Sequence, residues 1–91
     1  MTATVVIIVK IMPESPDSNL DEIKTNVRHF VEKHGAKSVT FEEEKMAFGL
    51  KAIILKMAFP EDRGTDMLET DLTKIPGISS VTIEDYRRAF G

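Results

Sequence analysis

FEEEKMAFGLKAIILKMAF, residues 41–59, is the stretch whose reading decides the fold. Its first part continues a run begun at Lys37, in which Val39 and Phe41 alternate with Ser38, Thr40 and Glu42. A period of two marks a strand with one buried face, and the charged residues suit a sheet edge. Its second part, Leu50 to Phe59, is a nearly continuous apolar strand interrupted only by Lys51 and Lys56, and Pro60 ends it. Between the two stands Phe48-Gly49. Strand-to-strand turns favour small polar residues, with glycine where the chain needs a positive φ. A phenylalanine beside that glycine is either core or offered to something.

Upstream, Thr4 to Met12 is almost wholly apolar and β-branched, with Lys10 the exception. That composition predicts a strand buried on both faces, hence central in a sheet. PESPDSN, residues 13–19, follows as a polar turn with two prolines. Asn19, with Glu22 three residues later, has the form of a helix N-cap followed by an N3 carboxylate. Leu20, Ile23, Val27, Phe30 and Val31 then recur at helical spacing until Gly35 stops the helix. Downstream, EDRGT, residues 61–65, is a turn. Gly64 or Thr65 opens a second helix with Leu68, Leu72 and Ile75 on one face, and Pro76-Gly77 closes it. Ile78, Val81 and Ile83 point to a last strand running toward Tyr86.

The order is strand, helix, strand, strand, helix, strand, the split βαβ pattern of a ferredoxin-like α+β sandwich. Right-handed crossovers put the first and third strands at the centre of a four-stranded antiparallel sheet. Both helices then cover one face, leaving the other exposed or free to meet a partner. Residues 1–91 are expected to form a single domain, with no linker and no internal repeat beyond this pseudo-duplication.

Composition narrows the function. The chain has 91 residues, 42% hydrophobic and 30% charged, an ordinary globular balance. No stretch approaches the roughly 20 apolar residues needed to span a bilayer. The run Val5 to Val9 is short, ends in a lysine and has no basic region before it, so export is not expected. The absence of cysteine excludes disulfides and thiolate metal sites. A cytoplasmic protein without membrane contact is expected. The net charge of −3 argues against a general nucleic-acid binder, whose affinity comes largely from neutralising phosphates. Charge is unevenly placed: Glu42-Glu43-Glu44 forms an acidic knot, and Arg87-Arg88 puts two positive charges near the C-terminus. A local basic point on an acidic body suits one defined phosphate site better than a long polyanion.

Catalytic signatures are missing. The chain has no G-x-x-x-x-G-K-[ST] phosphate loop, G-x-G-x-x-G, H-E-x-x-H or G-x-S-x-G. Asp17, Asn19 and Asp21 begin like a calcium loop, but Glu22 stands where that loop needs glycine and Arg28 where it needs its bidentate glutamate. His29 and His34 lack a carboxylate or cysteine partner and read as solvated surface residues. Glu42 and Glu44 share one strand face, and an edge guarded against aggregation explains them better than acid–base chemistry. Met12, Met46, Met57 and Met67 read as core filling. Neither covalent catalysis nor a metal or cofactor is expected.

Three stretches resist these plain readings: Phe48-Gly49 at the strand junction, RGTDMLE (residues 63–69) with both charge signs at a helix start, and Arg87-Arg88. Each also has a structural explanation, with Phe48 as a core lid, Thr65 as an N-cap and the arginines as aids to solubility. Taken with their surroundings, they resemble the elongation factor 1-beta family in its short archaeal form. The matching pieces are KIMPESPDSNLDEIK, EEEKMAFGLKAIIL, GTDMLE and ISSVTIEDYRR, in the family's order over nearly the whole chain.

The resemblance implies a ferredoxin-like fold and guanine-nucleotide exchange on elongation factor 1-alpha, regenerating the GTP form that binds aminoacyl-tRNA. It implies contact with that GTPase in its GDP-bound and nucleotide-free states. In the family a basic residue close to the C-terminus is set against the Mg²⁺ position of the GTPase. The match puts Arg88 there, with Arg87 beside it. Eukaryotic members carry lysine at that point and end almost at once, whereas this chain continues through Ala89-Phe90-Gly91. Phe48 and Gly49 fall on the family's aromatic-glycine pair, and Thr65 and Asp66 on its second helix start, so the resemblance makes these four partner-binding residues. Two rival classes remain: a metabolite-binding or oligomerisation module on the open sheet face, and an RNA-binding module, which needs aromatics on the central strands.

Overall fold

The computed structural model describes residues 3–61 and 65–88. β1 (Thr4–Pro13) leads to α1 (Leu20–Lys33), β2 (Lys37–Lys45), a 3-10 turn at Ala47–Gly49, β3 (Lys51–Pro60), α2 (Asp66–Leu72) and β4 (Ile78–Arg88). The strands form one antiparallel sheet in the order β2-β3-β1-β4. This is the ferredoxin-like α+β arrangement expected from the sequence, with β1 and β3 central and β2 at an edge.

Local chemistry accounts for the first helix. Asn19 has extended backbone, and its Oδ1 accepts the Glu22 N–H at 3.1 Å, satisfying one of the amides that a helix start leaves without a partner. Asp21 and Glu22 in the first turn and Lys33 in the last complement the helix dipole. The chain leaves the helix through Gly35 at φ 100°, where an added Cβ would lie 3.0 Å from Pro60 Cγ. Positive φ and close approach both call for glycine at this crossing.

Val5, Ile7, Val9 and Ile11 of β1 and Ile53, Leu55, Met57 and Phe59 of β3 meet Ile23, Val27 and Val31 of α1 and Leu68 and Leu72 of α2 in one core. The strand residues are all odd-numbered and so lie on one side of the sheet. Both helices therefore cover the same face.

Several expectations need correction. β1 is not buried on both faces: Val6, Ile8 and Met12 on the even-numbered side are only half-buried, because no helix lies over them. The second helix ends at Leu72, and Ile75 joins the core from the following turn, its N–H bonded to Leu72 O at 3.1 Å. That helix begins at Asp66 after Thr65, and the alternative start at Gly64, like Arg63, lies outside the described residues. His34 is half-buried with its ring 4.6 Å from that of Phe30, so only His29 is the solvated residue expected. Among the described residues no helix is long and apolar enough to cross a membrane.

Candidate functional site

The turn between β2 and β3 answers one question directly. Met46 N–H donates to Leu50 O at 2.8 Å, and Leu50 N–H to Ala47 O at 3.3 Å. Closing the chain in so few residues places both Phe48 (φ 62°, ψ 28°) and Gly49 (φ 76°) in the left-handed region. Glycine occupies it freely, whereas an L side chain there costs about 1–2 kcal/mol. Phe48 is also 94% exposed, so it is no core lid. A strained backbone thus presents a bare aromatic ring at the hairpin tip.

The two arginines sit at the other end of the sheet, and an irregularity in β4 decides which way each faces. Val9 pairs with Ile83 but Ile8 with Asp85, so Glu84 is an extra residue in the strand. Beyond it, Tyr86 lies opposite Ile7 and Arg88 opposite Val5, on the helix-covered side, while Asp85 and Arg87 lie opposite Ile8 and Val6 on the open side. Plain alternation from Val81 and Ile83 would give the reverse. Tyr86 is nevertheless 48% exposed.

Each arginine has a carboxylate partner. Arg87 Nε lies 2.8 Å from Asp85 Oδ2 on the open face. Arg88 donates through a terminal nitrogen to Glu61 Oε1, a contact between the ends of β4 and β3 that the sequence reading missed. The Glu61 main chain is anchored beside the start of β1, its N–H donating to Ala3 O at 2.8 Å. The Glu61 side chain is 28% exposed and that of Arg88 72%. Thr65 directly precedes α2 but makes no side-chain capping bond, and Asp66 is exposed.

The candidate residues are therefore not all in one place. Arg87 and Arg88 lie at the end where β3 and β4 finish, Phe48 and Gly49 lie where β3 begins, and Thr65 and Asp66 stand at the start of α2. The nine steps of β3 separate the first two pairs by about 30 Å at about 3.3 Å per residue, along a molecule whose longest dimension is 44 Å.

The acidic knot is divided between the faces. Glu43 turns to α1, 2.6 Å from Lys24 Nζ, with Lys51 Nζ at 3.9 Å. The Lys24 hydrogen bond and charge hold its carboxyl below the ordinary carboxylate range. Among the described residues no three His, Asp or Glu side chains gather as a metal site. The open face of the central strands carries Val6, Ile8, Lys10, Met12, Ala52, Ile54, Lys56 and Ala58, with no aromatic on which a base would stack.

A family profile described as the EF-1 guanine nucleotide exchange domain matches residues 6–89. The chain is similar to the elongation factor 1-beta of Methanocella arvoryzae, 37% identical over 89 residues, covering 97% of this chain and 99% of that protein. It is likewise similar to that of Methanocorpusculum labreanum, 39% identical with 92% and 94% covered, and that of Desulfurococcus amylolyticus, 34% identical with 94% and 97% covered. Among solved structures, LarC2, the C-terminal domain of a cyclometallase, matches with a TM-score of 0.64 at 20% identity, covering 98% of this chain and 58% of its own. The BlrP1 BLUF structure matches at 0.59 and 13% identity, covering 100% and 58%. At such identities the structural matches show the fold alone.

Proposed function

The chain belongs to the EF-1 guanine nucleotide exchange domain family, and on that premise we propose that it promotes exchange of GDP for GTP on elongation factor 1-alpha. The single observation carrying this reading is the match across residues 6–89. Residues 1–91 serve as one exchange domain, acting in the cytoplasm without covalent chemistry. The requirement is differential affinity. The domain binds the nucleotide-free GTPase more tightly than the GDP-bound one, and by linkage GDP loses affinity by the same factor.

The GTPase holds its nucleotide through a phosphate-binding loop and Mg²⁺. Arg88 brings a cation that competes for that charge without reproducing the octahedral coordination that Mg²⁺ demands. Arg87 supports it from the other face of the strand, and Thr65 and Asp66 contact the partner from the start of α2. Phe48 and Gly49 form a second contact at the hairpin tip, where an exposed aromatic is suited to fill an apolar pocket.

Stopped-flow release of labelled GDP from elongation factor 1-alpha tests the reading. Sub-stoichiometric amounts of the domain should speed release, and raised Mg²⁺ should oppose it. Arg88→Ala should slow release far more than it weakens docking, while Arg88→Lys, which keeps the charge, should retain much of the rate. A wild-type domain that leaves the release rate unchanged would overturn the assignment. An Arg88→Ala variant as fast as wild type would remove Arg88 from it.

A further inference from the structure

We infer that Glu61 is a latch on Arg88: its carboxylate engages, in the free protein, a terminal guanidinium nitrogen that Arg88 must offer to an anion in the partner. The inference rests on the exchange reading above and adds a regulating residue to it. Three observations carry it. The pair joins the ends of two strands 27 residues apart, so the fold itself brings the groups together. The Glu61 backbone is tied to Ala3 and its side chain is 28% exposed, whereas the Arg88 side chain is 72% exposed and can turn outward to a partner. The extra residue at Glu84 turns Arg88 and Arg87 to opposite sides of the sheet, and it is Arg88 that meets Glu61 while Arg87 pairs with Asp85.

A carboxylate and a phosphate oxygen are interchangeable partners for one guanidinium N–H, and each such proton serves only one at full strength. Docking Arg88 near the nucleotide phosphates therefore exchanges one anion for another. Whatever Glu61 contributes in the free state is subtracted from docking. The carboxylate left behind also brings a negative charge toward the phosphates. Both effects act in the same direction, so Glu61 restrains exchange.

The test compares wild type with Glu61→Gln, Arg88→Ala and the double variant in the GDP-release assay. Glu32→Gln, on the exposed side of α1, controls for the same change in net charge. Glu61→Gln should raise the second-order rate of assisted release about two- to fivefold, the size expected of one exposed ion pair. The ratio to wild type should fall toward one near 1 M salt, where the screening length is about 3 Å. Glu61→Gln should change nothing in the Arg88→Ala background. In the free protein, the Arg88 Nε–H signal should show faster side-chain motion in Glu61→Gln and not in Glu32→Gln.

A Glu61→Gln rate equal to or below that of wild type overturns the latch. So does a gain that survives in the Arg88→Ala background, or an Arg88 side chain equally mobile with and without the carboxylate. If wild type itself fails to speed GDP release from the GTPase, the exchange reading falls and the latch falls with it. If wild type exchanges normally while Glu61→Gln gains nothing, only the latch falls.

Discussion

Phe48 joins two unfavourable features in one residue, a left-handed backbone and an almost fully exposed ring. Strain of this kind persists where the surroundings impose it and gathers at functional sites. Removing the ring should separate stability from binding. Phe48→Ala should leave the urea midpoint nearly unchanged, within about 0.5 kcal/mol, since the ring is packed against nothing in the isolated domain. It should still weaken binding to elongation factor 1-alpha. Phe48→Gly relieves the backbone and should stabilise by up to about 1 kcal/mol while losing the same contact. A fall in stability of 3–5 kcal/mol for Phe48→Ala, typical of an aromatic truncated in a core, would restore the lid that the exposure excludes.

At the scale of elements, the two helices start differently, although both look capped in sequence. Asn19→Ala removes an oxygen bonded to the Glu22 N–H and should cost about 0.5–2 kcal/mol. Thr65→Ala removes no capping bond and should cost less than about 0.5 kcal/mol; paired denaturation curves decide the contrast. The Lys24–Glu43 pair, which ties α1 to the β2 edge, gives a dependence on pH. The folded Glu43 carboxyl titrates below its ordinary range, so the unfolded chain takes up that proton first as pH falls. The pair's contribution is therefore present above the ordinary carboxylate range and lost below it. Stability should decline less on acidification in Glu43→Gln than in wild type, as read from urea midpoints across pH. Equal slopes would show that the pair has no weight in solution.

The whole molecule sets its two candidate contacts about 30 Å apart. One partner touching both must lie along the length of the sheet. Sites so distant share no side-chain neighbours, and their mutational effects should add within about 0.3–0.5 kcal/mol. The loss of binding in a Phe48→Ala, Arg88→Ala double variant should thus equal the sum of the single losses, measured by titration with nucleotide-free GTPase. A clear departure would mean that the ends communicate through the sheet or that one of them does not touch the partner.

The sequence by itself determined the order of elements and the antiparallel sheet. Those follow from the spacing of apolar residues, the Asn19 cap and the glycines at positive φ, all local signals carried by the chain. It also pointed to Phe48 and Arg88, through an aromatic out of place and a basic pair with a family likeness. It failed where burial depends on what lies overhead. Val6 and Ile8 are as apolar as Val5 and Ile7, and only the placement of both helices on one side leaves them half-exposed. It failed again at Glu84, because one extra residue in β4 is visible only in the register against β1. That register turns Arg88 toward Glu61, a pairing across 27 residues that no local pattern announces. Periodicity is a property of the segment, whereas the facing of a side chain at a strand's end is settled by the neighbour it is paired with.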